Sequence, residues 1–528
     1  MTQKTNGSIV KGVSVLSIAG LFCKILGLLI TVPLTKIIGA EGLGIFQSVF
    51  PTYNLLLTLS SAGLPVAISR MVSHFLAKDD PKNAKHTFKT ALYLLTILGC
   101  CGTILMIVGK DSLAAWVKEP RSSSGFVAIA PCLMLVCALS ALRGFMQGQQ
   151  NMKPTAISQI VEQVAKLIFA LPLAYFGSKI DIAMGATGAL LGITISEVCA
   201  IIVMSILYFR KKKTFSAIPQ LSDEYELSNK SIIRKLILIS IPITISACIV
   251  PLAQFVDSVM MVPRMMNAGL TNELARSLYG VFSGLVIRLI NVPTALALAV
   301  SMSIVPAVSA AKAVNNENSL HKTCDQGIRL AFIIGFPCSI GMSVLAKEVF
   351  GFLYYESLAE EMFQVGWELL TVSSLTIVLF TAVQATSAIL QGLGKQKIPM
   401  YTLIAGVSCK IIMNYILIGI PNINIHGGPY ASIICYTVSL IPNLYYVCKY
   451  ANISFDFKDW ILKPAVSAAI MGLTVYLFKK IVPYNRITTI ILILTGVLVY
   501  FFCAWKIGAI QDSDIAAFKR LGKSRRSS

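Results

Sequence analysis

LRGFMQGQQNMKPTAISQIVEQVAKL, residues Leu142–Leu167, decides how the rest of the chain is read. An apolar helix ends there in a polar knot, Gln147-Gly148-Gln149-Gln150-Asn151, closed by Lys153-Pro154. Gly and Pro break a helix at such a place, and Pro154 suits the first turn of the next one. That next helix reads as membrane-embedded, yet Ser158, Glu162 and Lys166 fall on one face. Residues four apart on a helix meet, so Glu162 and Lys166 can pair side by side. A second knot, Gln391-Gly392-Leu393-Gly394-Lys395-Gln396-Lys397-Ile398-Pro399, again leads into an apolar helix with one lysine, Lys410. Gln147 and Gln391 are 244 residues apart, as are Lys166 and Lys410. A chain built twice, with the knot at the same turn of each half, is the expectation.

The composition places both halves in a membrane. Of 528 residues, 55% are hydrophobic and 13% charged, against roughly 25% charged in soluble domains. Apolar runs near the ~20 residues of a spanning helix recur along the whole length, and the short alternating segments of a membrane β-barrel are missing. A net charge of +21 would suggest nucleic acid in a soluble protein. Here the Lys and Arg gather in loops between spans, where anionic headgroups and the positive-inside rule account for them; no nucleic-acid partner is expected. The thirteen cysteines lie mostly in apolar runs without a CxxC pair, and read as small packing residues. Val13–Ile38 is too long for a signal-peptide core and holds Lys24, so it is expected to remain as the first span.

Run lengths give an all-α polytopic fold of about fourteen spans, two six-helix lobes as parallel repeats plus two extra C-terminal helices. The N-terminal lobe is 1–209, with spans near Val13–Ile38, Gly44–Ile68, Phe88–Val108, Gly125–Met146, Thr155–Gly177 and Ala183–Phe209. Residues 210–235, opening with Arg210-Lys211-Lys212-Lys213, form a cytoplasmic linker. The C-terminal lobe is 236–450, with spans near Leu236–Val262, Leu278–Val308, Gly327–Leu345, Phe363–Leu390, Met400–Ile420 and Gly428–Val447. Residues 451–528 carry the two added helices and a basic tail. Lys78, Lys82, Lys85, Lys89, the Arg210 cluster, Lys312, Lys322, Lys395, Lys397 and the tail share one side, which puts both termini in the cytoplasm.

Polar residues inside spans are the candidate site. Lys24 lies on a stripe with Ser17, Gly20, Gly27 and Thr31 in the first span. A lysine at mid-bilayer costs ~3 kcal/mol to insert, so water, a partner or snorkelling to the interface must compensate. Gln47, Pro51, Asn54, Thr58 and Ser61 form an uncharged stripe in the second span, suited to hydrogen bonds between helices. The seventh span carries Gln254 and Asp257; the eighth carries Arg288 and Asn291. Asp257 and Arg288 read as buried partners, either a structural ion pair or a cavity-lining pair that binds substrate. Glu162, Lys166, Glu197, Glu368 and Lys410 extend the set. Four histidines without ligand spacing, and glycines matching no phosphate-binding loop, give no sign of an enzyme, a metal or a cofactor.

FCKILGLLITVPLTKIIGAEGLG, GLPVAISRMV, LRGFMQGQQNMKPTAISQIVEQ and IRLINVPTALALAVSMSIVPAVS resemble the polysaccharide-exporter branch of the multidrug/oligosaccharidyl-lipid/polysaccharide (MOP) superfamily. Within it they are similar to the stage V sporulation protein B and MurJ-type lipid II flippase groups. That resemblance covers essentially the whole chain. It implies a flippase of the bacterial cytoplasmic membrane, moving an undecaprenyl-diphosphate-linked cell-wall precursor by alternating access, with the cell-wall synthesis machinery as a partner. It implies a cationic cavity for the diphosphate, with Lys24 at the basic position of FxRxLG and Arg288 at the arginine of RLxxxP. Ile30 and Leu57 or Thr58 stand where the family has further arginines. It also implies a lipid-tail groove at the last two helices. A cation-coupled multidrug antiporter and a non-transporting scaffold of the spore envelope are the alternatives. Lys24 argues against the antiporter, which calls for an acidic first helix, and the insertion cost of buried charge argues against the scaffold.

Overall fold

The computed structural model describes residues 2–216, 227–313, 317–483 and 485–511. Among them there are helices and no β-strands. Thirteen helical stretches among the described residues are long and apolar enough to cross a membrane. The first of these, Leu26–Ala77, contains two spans, because the helix breaks at Gly39, where φ is +65° and ψ is −174°. The expected count of about fourteen follows. Apolar side chains such as Ile104, Phe176, Ile202, Leu494 and Phe501 are exposed on the outer faces, as lipid requires of a spanning helix.

Contacts divide the chain into two compact units, Met1–Gly284 and Leu285–Ser528. The first holds α1 (Thr2–Ser61), α2 (Leu64–Ala77), α3 (Pro81–Val108), α4 (Lys110–Trp116), α5 (Ser123–Gly148), α6 (Lys153–Ser178), α7 (Ile182–Ser216), α8 (Asn229–Asn267) and α9 (Asn272–Tyr279). The second holds α10 (Ile287–Ala313), α11 (Glu317–Val344), α12 (Ala346–Tyr354), α13 (Glu360–Ser373), α14 (Leu375–Gly392), α15 (Lys397–Ile418), α16 (Gly427–Ala451), α17 (Lys463–Ile481) and α18 (Arg486–Lys506). In the linker, the acids Asp223, Glu224 and Glu226 lie outside the described residues.

Local chemistry sets the helix starts. Asp80 caps α3 by accepting the Asn83 amide at 3.0 Å, with Pro81 following. Asn485 caps α18 through the Thr488 amide at 2.7 Å. An oxygen there satisfies an amide that has no partner within its own helix. The second span was expected to run through Ile68, but its helix ends at Ser61 and α2 begins at Leu64. Pro65 cannot donate within a continuing helix, and the Gly63 amide instead donates to Thr244 Oγ1 at 3.2 Å. The eighth span was expected as one helix; α9, a π-helical stretch Gly280–Val286 and α10 share it.

Each unit repeats the same packing. In the first, α5 packs against α2, α3 and α7, and α6 against α7; in the second, α14 packs against α10, α11 and α16, and α15 against α16. The knots agree bond by bond. Asn151 N donates to Met146 O at 3.1 Å and Lys395 N to Leu390 O at 2.8 Å. Gln150 and Gly394 take the left-handed conformation, with φ of 57° and 74°. A Cβ on Gly148 would sit 2.8 Å from Val72 Cβ and 3.0 Å from Ser69 O; on Gly392 it would sit 2.8 Å from Val308 Cβ and 3.0 Å from Val305 O. Loop readings missed one pair of elements: the short α4 and α12 start 236 residues apart, the spacing that also separates Val72 from Val308.

Candidate functional site

A chain of buried charges runs through the first unit. Arg143, on α5 four residues before the knot, donates from Nε to Ser158 Oγ at 3.0 Å and from Nη2 to Glu162 Oε2 at 3.2 Å. Lys166 Nζ lies 2.7 Å from Glu162 Oε1 and 3.9 Å from Glu197 Oε1. The knot fixes this geometry by bringing the end of α5 beside the first turns of α6, and α7 packs along α6 to deliver Glu197. Tyr53 Oη and Cys132 Sγ, 3.0 Å apart, border the same cluster. The Glu162–Lys166 pair of the sequence is present, but it is part of a network of four charges. Arg143 was missed although it lies inside the opening motif; a lone arginine near a helix end reads as an interface residue.

A second network closes another part of the same unit. Arg276 on α9 and Glu119 are fully buried and ion-paired. The Arg276 guanidinium also donates to Ser48 Oγ at 3.1 Å and to the carbonyls of Val117 and Lys118. Arg121 Nε donates to Glu119 Oε1 at 2.9 Å and its Nη2 reaches Glu41 Oε1 at 2.8 Å. Backbones approach closely where α9 meets α1: a Cβ on Gly44 would lie 2.2 Å from Arg276 O, and one on Gly280 would lie 2.3 Å from Ala40 O. Neither Glu119 nor Arg276 stood out in the sequence, because both fall beside predicted loops.

The remaining candidates divide between the units. Gln254 is exposed and accepts from Asn54 Nδ2 at 3.4 Å, so the Asn54 part of the second-span stripe does bond between helices. Thr58 and Ser61 instead donate to Asn54 O and Leu57 O of their own helix, as Thr31 does to Gly27 O; a hydroxyl four residues on meets that carbonyl first. Asp257 is buried, in electrostatic reach of Tyr279. Arg288, in the second unit, is in electrostatic reach of Tyr354, which is fully buried. Asn291 is exposed and Lys410 half-buried. Glu368 meets His426 Nε2 at 3.6 Å near a span end. The Lys24 side chain lies outside the described residues.

The second unit also contains an apolar cavity of about 730 Å³. Its walls come from α11, α17 and α18, among them Ile333, Pro337, Met471, Leu492, Gly496 and Phe501. Tyr500 Oη donates to Ile333 O at 2.7 Å and Lys479 Nζ to Val344 O at 2.7 Å, so both added helices are bonded onto α11. The cavity has the size and apolar character of a small-molecule site, with almost no polar group to orient a headgroup.

A family model described as polysaccharide biosynthesis protein matches residues 9–312, and a MatE model matches residues 242–416. The chain is 25% identical over 535 residues to lipid II flippase MurJ of Bacillus subtilis (strain 168), covering 96% of each. It is 26% identical over 457 residues to stage V sporulation protein B of the same organism, covering 86% of each. A solved structure of lipid II flippase MurJ in an inward closed conformation superposes with a TM-score of 0.71 at 16% identity, covering 93% of this chain and 97% of that one. The whole-length match agrees with the repeated helix packing and the two added helices described above. This chain is therefore a multi-pass membrane transporter that belongs to the polysaccharide biosynthesis protein family of the MOP superfamily.

Proposed function

We propose that the protein flips a polyprenyl-diphosphate-linked cell-wall precursor, lipid II or a related lipid-linked oligosaccharide, across the bacterial cytoplasmic membrane by alternating access. The observation that carries this reading is the apolar cavity lined by α11, α17 and α18 and open to their outer face. A polyprenyl chain needs an apolar wall and no hydrogen-bond partners, and each buried CH₂ contributes ~0.8 kcal/mol. Similarity to a lipid II flippase over nearly the whole chain supports the same substrate class. Lys24 and Arg288 serve as the cations for the diphosphate, and Asp257, Gln254 and Asn291 supply polar contacts to the head. Lys410 keeps the second half cationic at the position matching Lys166. Both termini face the cytoplasm, and the working halves are 1–209 and 236–450, joined by 210–235.

The test is flipping of lipid-linked precursor in vesicles reconstituted with the full chain. Lys24→Ala or Arg288→Ala abolishes flipping while the protein still folds and inserts. Arg288→Lys recovers little, because a point charge does not replace a bidentate fork on phosphate, whereas Lys24→Arg recovers much. If both alanine variants flip normally, the diphosphate reading is wrong and cation-coupled drug export becomes the reading to test.

A further inference from the structure

The two units solve the same packing problem with different chemistry. At the 244-residue spacing of the knots, Arg143 corresponds to Ser387, Ser158 to Thr402, Glu162 to Gly406 and Lys166 to Lys410. In the second unit Thr402 Oγ1 donates to Asn443 Oδ1 at 2.8 Å and Asn443 Nδ2 donates to Ser387 Oγ at 3.2 Å. Asn443 is fully buried on α16, the counterpart of the α7 that carries Glu197. A neutral clasp of hydroxyls and one amide therefore suffices to join these helices. The first unit places two acids and two bases there instead, at the cost that ionised groups incur inside a membrane. Their charge serves something other than packing.

Glu197 is the member left incomplete. Its side chain is 5% exposed, and its Oε2 is buried with no hydrogen-bond donor among the described residues, the Glu162 carboxyl lying beside it. Three helices bring the groups that face it: Glu162 and Lys166 from α6, Arg143 and Cys132 from α5, and Tyr53 from α1. Arg143 is engaged by Ser158 and Glu162. Tyr53 and Cys132 are engaged with each other. Among the described residues, Lys166 is the cation paired with Glu197 Oε1, at 3.9 Å, while it rests on Glu162 at 2.7 Å. Two carboxyls flanking one ammonium in a water-poor site do not both stay ionised readily; a proton on the less well-paired one relieves the repulsion and the desolvation cost.

We propose that Glu197 is a proton-binding site, and that Lys166 shuttles between Glu162 and Glu197 as the proton leaves and returns. The proton passes from water to a Glu197 carboxylate oxygen and back, and no other bond forms or breaks. With the proton bound, Lys166 rests on Glu162, as observed. When the proton leaves, the new negative charge draws Lys166 into a direct ion pair with Glu197, and Arg143 and Gln163 hold Glu162. The shuttle changes the bonding between α6 and α7, which links the packing of this unit to proton occupancy. It gives the transporter a proton dependence that the lipid-substrate reading neither contains nor requires.

Infrared difference spectra of the purified full-length protein, titrated from about pH 5 to about pH 9, test the site without any substrate. Wild type shows a protonated-carboxyl band at low pH that disappears as pH rises, and Glu197→Gln removes that band. A wild type with no such band, or a Glu197→Gln variant that keeps it, overturns the proposal. Transport gives the second reading. An imposed pH gradient changes the wild-type rate, Glu197→Asp keeps that dependence, and Glu197→Gln folds but has lost it. Glu197→Gln transport that still follows the gradient also overturns it. Failure of the lipid-substrate reading alone would leave the infrared result standing.

Discussion

The buried Glu119–Arg276 pair gives the sharpest stability prediction. Removing one partner of a buried ion pair costs ~3–5 kcal/mol, because the other charge is left without compensation. The surroundings decide where in that range each substitution falls. In Glu119→Gln, Arg276 keeps Ser48 Oγ, two carbonyls and an amide oxygen in place of the carboxylate, and at 0% exposure water cannot replace the lost charge. That variant belongs near 5 kcal/mol. In Arg276→Met, Glu119 keeps Arg121, whose Nε donates at 2.9 Å and whose Nη2 donates to Oε2 at 3.1 Å. Arg121 is 42% exposed and brings solvent screening with it, so the loss falls near ~3 kcal/mol. The double variant should be less destabilised than Glu119→Gln alone, since it removes the orphaned charge. Equilibrium unfolding of all four proteins in detergent gives the double-mutant cycle. Single variants within about 1 kcal/mol of wild type, or Arg276→Met as the more damaging of the two, would falsify the reasoning.

Three further expectations follow from particular contacts. Gly148→Ala and Gly392→Ala should each cost ~1–3 kcal/mol by overpacking and match one another, since their neighbours lie at the same distances; unequal losses in the same unfolding measurement would count against the repeat. Gly341→Phe should fill the apolar cavity without unfolding the protein, because the nearest atom to its added Cβ is the flexible Met471 Cε at 3.6 Å. Losing about 60 Å² of tail contact at ~25 cal/mol/Å² is about 1.5 kcal/mol, roughly a tenfold drop in flipping, and an unchanged rate would remove the cavity from the mechanism. For orientation, an impermeant thiol reagent applied from outside should label Ser123→Cys and miss Ser222→Cys and Ser524→Cys, the last two of which lie outside the described residues; outside labelling at Ser222→Cys would reverse the topology.

Several features were legible because they are local. Hydropathy located each span, though not its ends, since every backbone group in lipid must be satisfied inside its own helix; α11 begins at Glu317, ten residues before the expected Gly327. The duplication was legible in the knots, and the structure repeats it down to the Asn151–Met146 and Lys395–Leu390 hydrogen bonds. Glu162 with Lys166 could be read because four residues is one helical turn. Pro65 could have marked the break before α2, but its place inside an apolar run hid it.

What the sequence by itself determined is the approximate number and order of the membrane spans, the duplicated plan and most of the residues whose charge has to be accounted for. The tertiary structure alone decided which of those charges meet. Arg143 and Glu197 join Glu162 and Lys166 from two other helices, and Arg276 reaches Glu119 across more than 150 residues of chain. It also decided that Thr31, Thr58 and Ser61 turn inward to their own backbone, and that α17 and α18 line an apolar cavity with α11. The reason is physical: hydropathy and helical period act along one segment, whereas the partner of a buried charge is set by which helices pack together and at what rotation, and spacing within a single helix carries no record of that.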